Sequence, residues 1–200
     1  MIKICEYIGG SAIYGLKTPD SDKDIRFVFK NAKISQILGL EKHEHQKIET
    51  NDTFGFELRF FFNLLRKGNT QALETLFLNE NEFILITNEF KNIQTHRYKL
   101  IDSEKLFKCL LGYVNGEKKI ILGQSTGPLG EKRKEQLYGY SYRNCVHALR
   151  LLRTGVLFFS GQPYPVNIVK EDKLFGEFIL SIKQNPTQYN KDDLIGIIKD

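Results

Sequence analysis

Two carboxylates, Asp22 and Asp24, stand directly before a stretch in which large apolar residues recur at every second position. These residues are Ile25, Phe27 and Phe29, and their spacing is that of a β-strand. Side chains two residues apart in a strand point to the same side of the sheet. The two carboxylates are therefore expected to point in one direction at the start of a strand, where they repel each other unless a cation lies between them.

A glycine-rich turn precedes this strand. A first strand, predicted over residues 3–8, ends at a Gly-Gly pair whose second member is Gly10, and Ser11 follows. Exposed backbone N–H groups in such a turn, together with a serine hydroxyl, can bind a triphosphate, so Gly10 and Ser11 are candidate nucleotide-binding residues. Asp22 and Asp24 are candidate ligands for Mg²⁺, or for Mn²⁺ in its place, because these ions prefer hard oxygen donors.

Periodicity predicts the other elements of an α+β fold, in which a small mixed unit is followed by a helical unit. The predicted elements are a strand over 47–56 and helices over 57–67, 71–78, 104–121, 131–154 and 171–184. Thr70 and Ser103 are expected to cap the helices that follow them, and Gly155 is expected to close the helix before it.

Composition limits the class of protein. The 200 residues include 41% hydrophobic residues, enough for a core, and no apolar run near the eighteen residues of a membrane span. The first residues lack the features of a signal peptide, so we expect a cytoplasmic location and no membrane partner. The net charge of +5 permits a polyanionic partner, although a lysine-rich surface would give the same charge. Three widely spaced cysteines without a Cys-x-x-Cys pair predict buried, reduced thiols in place of a zinc site.

The order of these motifs resembles a known family. A Gly-Ser pair, a spacer and an Asp-x-Asp motif at a strand start resemble the nucleotidyltransferases of the DNA polymerase β superfamily. One branch, the predicted nucleotidyltransferases that include RNA-ligase-associated nucleotide-adding enzymes, is similar over the wider string Gly10-Ser11-x-x-Tyr14-Gly15 and Asp22-x-Asp24-x-Arg26. Segments within 58–77 and 139–155 are similar to the same branch, so the resemblance covers about residues 5–170.

The resemblance implies a division into an N-terminal polymerase β-like catalytic domain over 1–98, with a small mixed sheet, and a helical nucleotide- and substrate-binding domain over 99–200. It also implies template-independent transfer of a nucleoside monophosphate from an NTP to a hydroxyl by a two-metal mechanism. The acceptor implied is an RNA end. Transfer of AMP or UMP to a protein hydroxyl, and a non-catalytic nucleotide-binding or regulatory module, are the alternatives.

Sites of this family carry a third carboxylate on a neighbouring strand, and two residues compete for that position. Asp52 lies within the predicted strand 47–56 and matches the acid position of the branch. Glu57 stands at the start of the next predicted helix, where the helix dipole alone favours a carboxylate. Asp52 is the favoured catalytic residue and metal ligand, with Glu57 as the alternative.

Four basic residues are candidate nucleotide contacts. Arg143, His147 and Arg150 follow the i, i+4, i+7 spacing of one helix face and can grip phosphates, since arginine binds them bidentately. A solvated basic face with a half-buried His147 is the plainer interpretation. Arg26 faces the same side of its strand as Asp24 and can either form an ion pair with the carboxylates or contact phosphate.

Overall fold

The alternating residues that follow Asp24 form a strand in a computed structural model of the chain. The structure describes residues 1–19, 21–30, 35, 40, 45–50, 52–125 and 138–199. The chain divides into two units. The first comprises Met1–Ile13 and Pro19–Leu106, and the second comprises Tyr14–Thr18 and Phe107–Asp200.

The first unit contains a five-stranded mixed sheet in the order β3-β4-β2-β1-β5. The strands are β1 Ile2–Ile8, β2 Ile25–Lys30, β3 Gln46–Thr50, β4 Thr53–Glu57 and β5 Phe83–Ile86. β2 pairs with β4 in parallel, and the other three pairings are antiparallel. Phe27, Val28 and Phe29 of β2 are all at most 1% exposed, so this strand is covered on both faces.

Among its described residues, the first unit also contains the helices α1 Leu58–Arg66, α2 Thr70–Phe77 and α3 Asn88–Thr95. Three short 3-10 turns lie at Gly10–Ala12, Glu80–Glu82 and Arg97–Leu100. The middle residue of the run Phe60-Phe61-Phe62 is fully buried and its ring packs against that of Phe90, while the outer two are half-buried. The aromatic run thus contributes to the core.

The second unit is helical. Its helices are α4 Ser103–Ile121, whose first turn belongs to the first unit, α5 Tyr142–Phe159, α6 Ile168–Glu171, α7 Lys173–Gln184 and α8 Lys191–Lys199. A 3-10 turn lies at Pro186–Gln188, and the hydroxyl of the buried Tyr140 donates a 2.8 Å hydrogen bond to the carbonyl oxygen of Pro186. The sheet followed by helices confirms the α+β class predicted from the sequence.

Two element boundaries predicted from periodicity are wrong. The predicted strand 47–56 is a pair of antiparallel strands, β3 and β4, with Asp52 in the turn between them. The predicted helix 131–154 cannot be continuous, because Gly139 has a φ of 76° and α5 begins only at Tyr142. Residues 131–137 of that prediction lie outside the described residues. α5 also continues through Gly155 to Phe159.

The predicted helix caps are displaced by one residue. Asn69, not Thr70, caps α2, because its side chain accepts a hydrogen bond from the N–H group of Ala72. Asp102, not Ser103, caps α4 by accepting from the N–H group of Lys105. Asn, Asp, Ser and Thr all favour the N-cap position. Each helix start therefore offers two adjacent residues that could cap it, and the sequence alone does not decide between them.

The three cysteines are free, and Cys5 and Cys145 are buried as predicted. Burial raises the pKa of the Cys145 thiol to about 12. Among the described helices, none is both long enough and apolar enough to cross a membrane.

Candidate active site

The glycine turn lies directly against Asp24. The N–H group of Gly9 donates a 2.8 Å hydrogen bond to the carbonyl oxygen of Asp24, at the end of the antiparallel pairing of β1 with β2. Gly10 has a φ of 62°, which favours glycine. A Cβ added at Gly10 would lie 2.1 Å from the Oδ2 atom of Asp24, which is far too close. Glycine is therefore required at position 10 for Asp24 to keep its place.

Arg26 connects Asp24 to the neighbouring strand. Its Nη2 atom lies 2.9 Å from Oδ1 of Asp24, which is the ion pair that the sequence left as one of two alternatives. Its Nη1 atom donates to the carbonyl oxygens of Ile25 at 3.1 Å and of Asp52 at 3.3 Å. The guanidinium also lies over the ring of Phe54, 3.9 Å from the centroid. Arg26 thus fixes one oxygen of Asp24 and the backbone of Asp52 together.

The parallel pairing of β2 with β4 brings Asp52 beside Asp24. Ile25 is in register with Thr53, so the two acids each directly precede a paired residue at the same edge of the sheet. The N–H group of Ile25 donates a 2.7 Å hydrogen bond to the carbonyl oxygen of Asp52. The side chain of Asp52 is exposed in the turn. The two segments are therefore held together by backbone hydrogen bonds, and Asp52 stays open to solvent.

Glu57 lies at the opposite end of the same strand. It is in register with Phe29, four residues beyond Ile25, which corresponds to roughly 13 Å along the strands. Its side chain is 2% exposed and accepts hydrogen bonds from the N–H groups of Arg59 and Phe60 as the cap of α1. The structure thus separates Glu57 from Asp24 and gives its carboxylate another partner. The preference for Asp52 over Glu57 gains geometric support.

The acids at this edge offer the donor set of a magnesium site. Asp22 is exposed two residues before Asp24, and Ser11 is half-buried in the 3-10 turn Gly10–Ala12. Carboxylates are hard oxygen donors that suit Mg²⁺ and Mn²⁺. In the described part of the chain, no three His, Cys, Asp or Glu side chains are already grouped as metal ligands. The residue types therefore fit a divalent ion, and Asp22 and Asp52 retain exposed side chains with which to bind it.

The three basic residues predicted to share a helix face lie on α5 of the second unit. Arg143 is exposed. His147 is half-buried, and its Nδ1 atom lies 2.7 Å from Oε1 of Glu117 on α4. Arg150 is only 3% exposed, with its guanidinium carbon 3.7 Å from the centroid of the Tyr14 ring. One face of α5 thus holds three basic residues in three different environments.

Glu117 is a residue that the sequence reasoning missed. Burial opposes the ionisation of its carboxyl group, but hydrogen bonds from His147 and Asn144 outweigh burial and hold the pKa of Glu117 below its usual range. Because Nδ1 of His147 contacts this carboxylate, Nδ1 carries the proton and Nε2 is the atom left to contact a ligand. Glu117 follows no motif, and only the packing of α4 against α5 reveals its role.

Residues 4–169 match the family described as the RNA repair pathway DNA polymerase beta family. The chain matches no curated protein and no solved structure. The matched span contains the glycine turn, Asp22, Asp24, Asp52 and the basic residues of α5. The chain belongs to the RNA repair pathway DNA polymerase beta family.

Proposed function

We propose that this chain is a template-independent nucleotidyltransferase that moves a nucleoside monophosphate from an NTP to a hydroxyl at an RNA end. One observation supports this proposal above the others. Asp24 is held between the backbone of Gly10 and the guanidinium of Arg26, and the same guanidinium binds the backbone of Asp52. Such preorganisation of acidic groups is what phosphoryl transfer requires, because catalysis there is mainly positioning and charge neutralisation.

Asp22, Asp24 and Asp52 would hold the divalent ions through their carboxylate oxygens. When bound, these ions neutralise charge on the triphosphate and lower the pKa of the acceptor hydroxyl. Arg26 keeps Oδ1 of Asp24 in an ion pair and so orients the carboxyl group. Asp52 either completes the metal site or takes the proton from the attacking hydroxyl.

The nucleotide contacts come from backbone and basic side chains. Gly10 and Ser11 bind the triphosphate through N–H groups and the serine hydroxyl. Arg143, which is exposed, offers a planar fork of donors, and His147 offers Nε2. The acceptor oxygen attacks the α-phosphorus, the bond from that phosphorus to the bridging oxygen breaks, and pyrophosphate leaves. The buried Arg150 is not among these contacts.

The acceptor can be identified with purified protein, each labelled NTP in turn, and Mg²⁺ or Mn²⁺. Four acceptors are compared. They are an RNA with free hydroxyls at both ends, the same RNA blocked by a 3′-deoxy residue at one end and a 5′-phosphate at the other, the matched DNA, and a protein pool. We expect label in the unblocked RNA and none in the blocked RNA. Label in protein alone would identify a protein-modifying enzyme. Metal-dependent NTP binding with no transfer to any acceptor would identify a non-catalytic module.

A pair of single substitutions tests which acid is the third one. Asp52→Asn should lower kcat about tenfold or more, because it removes a charge beside Asp24. Glu57→Gln should leave kcat close to that of the unsubstituted protein and lower the free energy of unfolding by about 1 kcal/mol, because it weakens the cap of α1. Steady-state kinetics and urea unfolding measure the two effects. The assignment is reversed if Glu57→Gln costs activity and Asp52→Asn does not.

A further inference from the structure

The five residues Tyr14–Thr18, here called the spacer, separate the glycine turn from the Asp-x-Asp motif, and they belong to the second unit. The ring of Tyr14 lies under the guanidinium of Arg150 at 3.7 Å. The Nζ atom of Lys183 on α7 donates a 2.7 Å hydrogen bond to the carbonyl oxygen of Leu16, whose side chain is 2% exposed. The spacer is therefore fixed by contacts to side chains far along the chain.

Gly15 shows how closely the spacer is packed. It has a φ of 75°, and a Cβ added there would lie 2.5 Å from Oδ1 of Asn167 and 2.9 Å from Cβ of Val169. Asn167, which caps α6, and Val169 within α6 thus lie against the spacer backbone. The spacer is thus contacted at the backbone of Gly15, at the ring of Tyr14 and at the carbonyl oxygen of Leu16. These contacts leave it little conformational freedom.

The burial of Arg150 argues against its expected role as a phosphate ligand. Only 3% of its surface is exposed, and its guanidinium is stacked on a ring. A guanidinium buried to this extent would have to become accessible before its donors could contact a triphosphate. Arg143 lies seven residues, about two turns, towards the start of α5 and is exposed.

We propose that Arg150 is a positioning residue, which holds the spacer through Tyr14 and thereby orders the two motifs joined to it. Ser11 precedes Tyr14 by three residues, and Asp22 follows Thr18 by four residues. With the spacer fixed, the chain on both sides of it samples fewer conformations, so the nucleotide turn and the first acid are preorganised. Lys183 supports the same segment through Leu16. This inference rests on the proposed function for its effect on catalysis.

Positioning and phosphate contact predict different kinetics. A phosphate ligand acts on the NTP directly, so its loss raises KM for NTP whether or not Tyr14 is present. A positioning residue that acts through Tyr14 loses its effect once the ring is gone. A double-mutant cycle between the two positions separates these cases, because residues that act as a unit are not additive.

The cycle consists of Tyr14→Leu, Arg150→Met and the double variant. Each single substitution should lower kcat about tenfold. This factor is what the free energy of a desolvated cation–π contact corresponds to when it is lost from the transition state. The double variant should be no worse than the poorer single variant. Tyr14→Phe, which keeps the ring, should retain most of the activity that Tyr14→Leu loses. Arg153→Met is the matched control on the same helix, because Arg153 binds Asp172 and Phe175.

Hydrogen exchange without nucleotide gives a second readout that does not depend on catalysis. Amide exchange in peptides covering residues 9–24 should rise about tenfold in Arg150→Met and stay unchanged in Arg153→Met. Tyr14→Leu and Lys183→Met should raise exchange in the same peptides, so the inference remains testable through Tyr14→Leu if Arg150→Met fails to fold.

Two outcomes would overturn the inference. The first is additive kinetics with a raised KM for NTP in Arg150→Met, which would make Arg150 a phosphate ligand. The second is exchange over residues 9–24 that stays unchanged in a folded Arg150→Met, or in Tyr14→Leu where Arg150→Met does not fold. If the unsubstituted protein transfers no nucleotide but the exchange increases are seen, the proposed transfer reaction fails and the ordering of the two motifs by Arg150 stands.

Discussion

Asp22→Asn is expected to lower the rate of nucleotide transfer about a thousandfold, because a neutral amide is a poor substitute for a negatively charged carboxylate as the ligand of a divalent ion. A metal ligand of this kind stabilises the transition state by several kcal/mol, and each 1.4 kcal/mol corresponds to about a factor of ten in rate. Asp22 is exposed, so its replacement removes no packing and should leave the thermal midpoint unchanged. Single-turnover rates with labelled NTP measure the loss.

The control for Asp22→Asn is Asp193→Asn, which changes the charge of the protein by the same amount at an exposed position of α8. We expect it to retain full activity. The double variant Asp22→Ala/Asp24→Ala should show no transfer at all. If that double variant still transfers nucleotide, the acids at this sheet edge are not the catalytic site.

Gly10→Ala is expected to lower the transfer rate about a hundredfold, the cost of displacing a catalytic group by about 1 Å. The new Cβ would lie 2.1 Å from Oδ2 of Asp24, so the carboxyl group has to move out of its ion pair with Arg26. The positive φ of 62° adds a conformational cost of about 1 kcal/mol. Kinetics together with the free energy of unfolding measure both effects.

Gly123→Ala is the matched control for Gly10→Ala. Gly123 has a φ of 71°, and no described atom lies within 4 Å of a Cβ added there. Its replacement carries the same backbone cost without the steric clash. We expect Gly123→Ala to lose only the stability that the backbone cost takes and to keep its activity, whereas Gly10→Ala loses more stability and also activity. Equal activity in the two variants would show that the contact between Gly10 and Asp24 has no catalytic importance.

The parts of the fold that sequence predicted well are those fixed by local patterns. The alternation from Ile25 to Phe29 gives β2, and the family match covers the motifs that carried the resemblance. The prediction of a single strand over 47–56 was wrong, because the apolar residues of this segment do not reveal that the chain reverses at Asp52. β5, α3 and α8 were not predicted, because short segments carry too few periods to be distinguished from loops.

The helix break expected at Gly155 failed for a tertiary reason. A Cβ at that position would lie 3.3 Å from Cδ1 of Leu110, so glycine serves close packing inside α5 instead of ending it. A similar limit applies to the candidate site. Composition and spacing identified Arg150 as a cation on the face of a helix, but its burial against Tyr14 depends on a contact across 136 positions. Such long-range contacts cannot be inferred from local spacing.

The spacer contacts have a consequence for the order in which the protein is made. Lys183 binds the carbonyl of Leu16 across 167 positions of sequence. A ribosome therefore exposes the glycine turn and the Asp-x-Asp motif long before it has synthesised the side chains that fix the segment between them. Because contacts of such separation close late in folding, an interrupted nascent chain carries all three acids without an ordered spacer. The Lys183 contact that holds the spacer is thus acquired only after α7 has been translated.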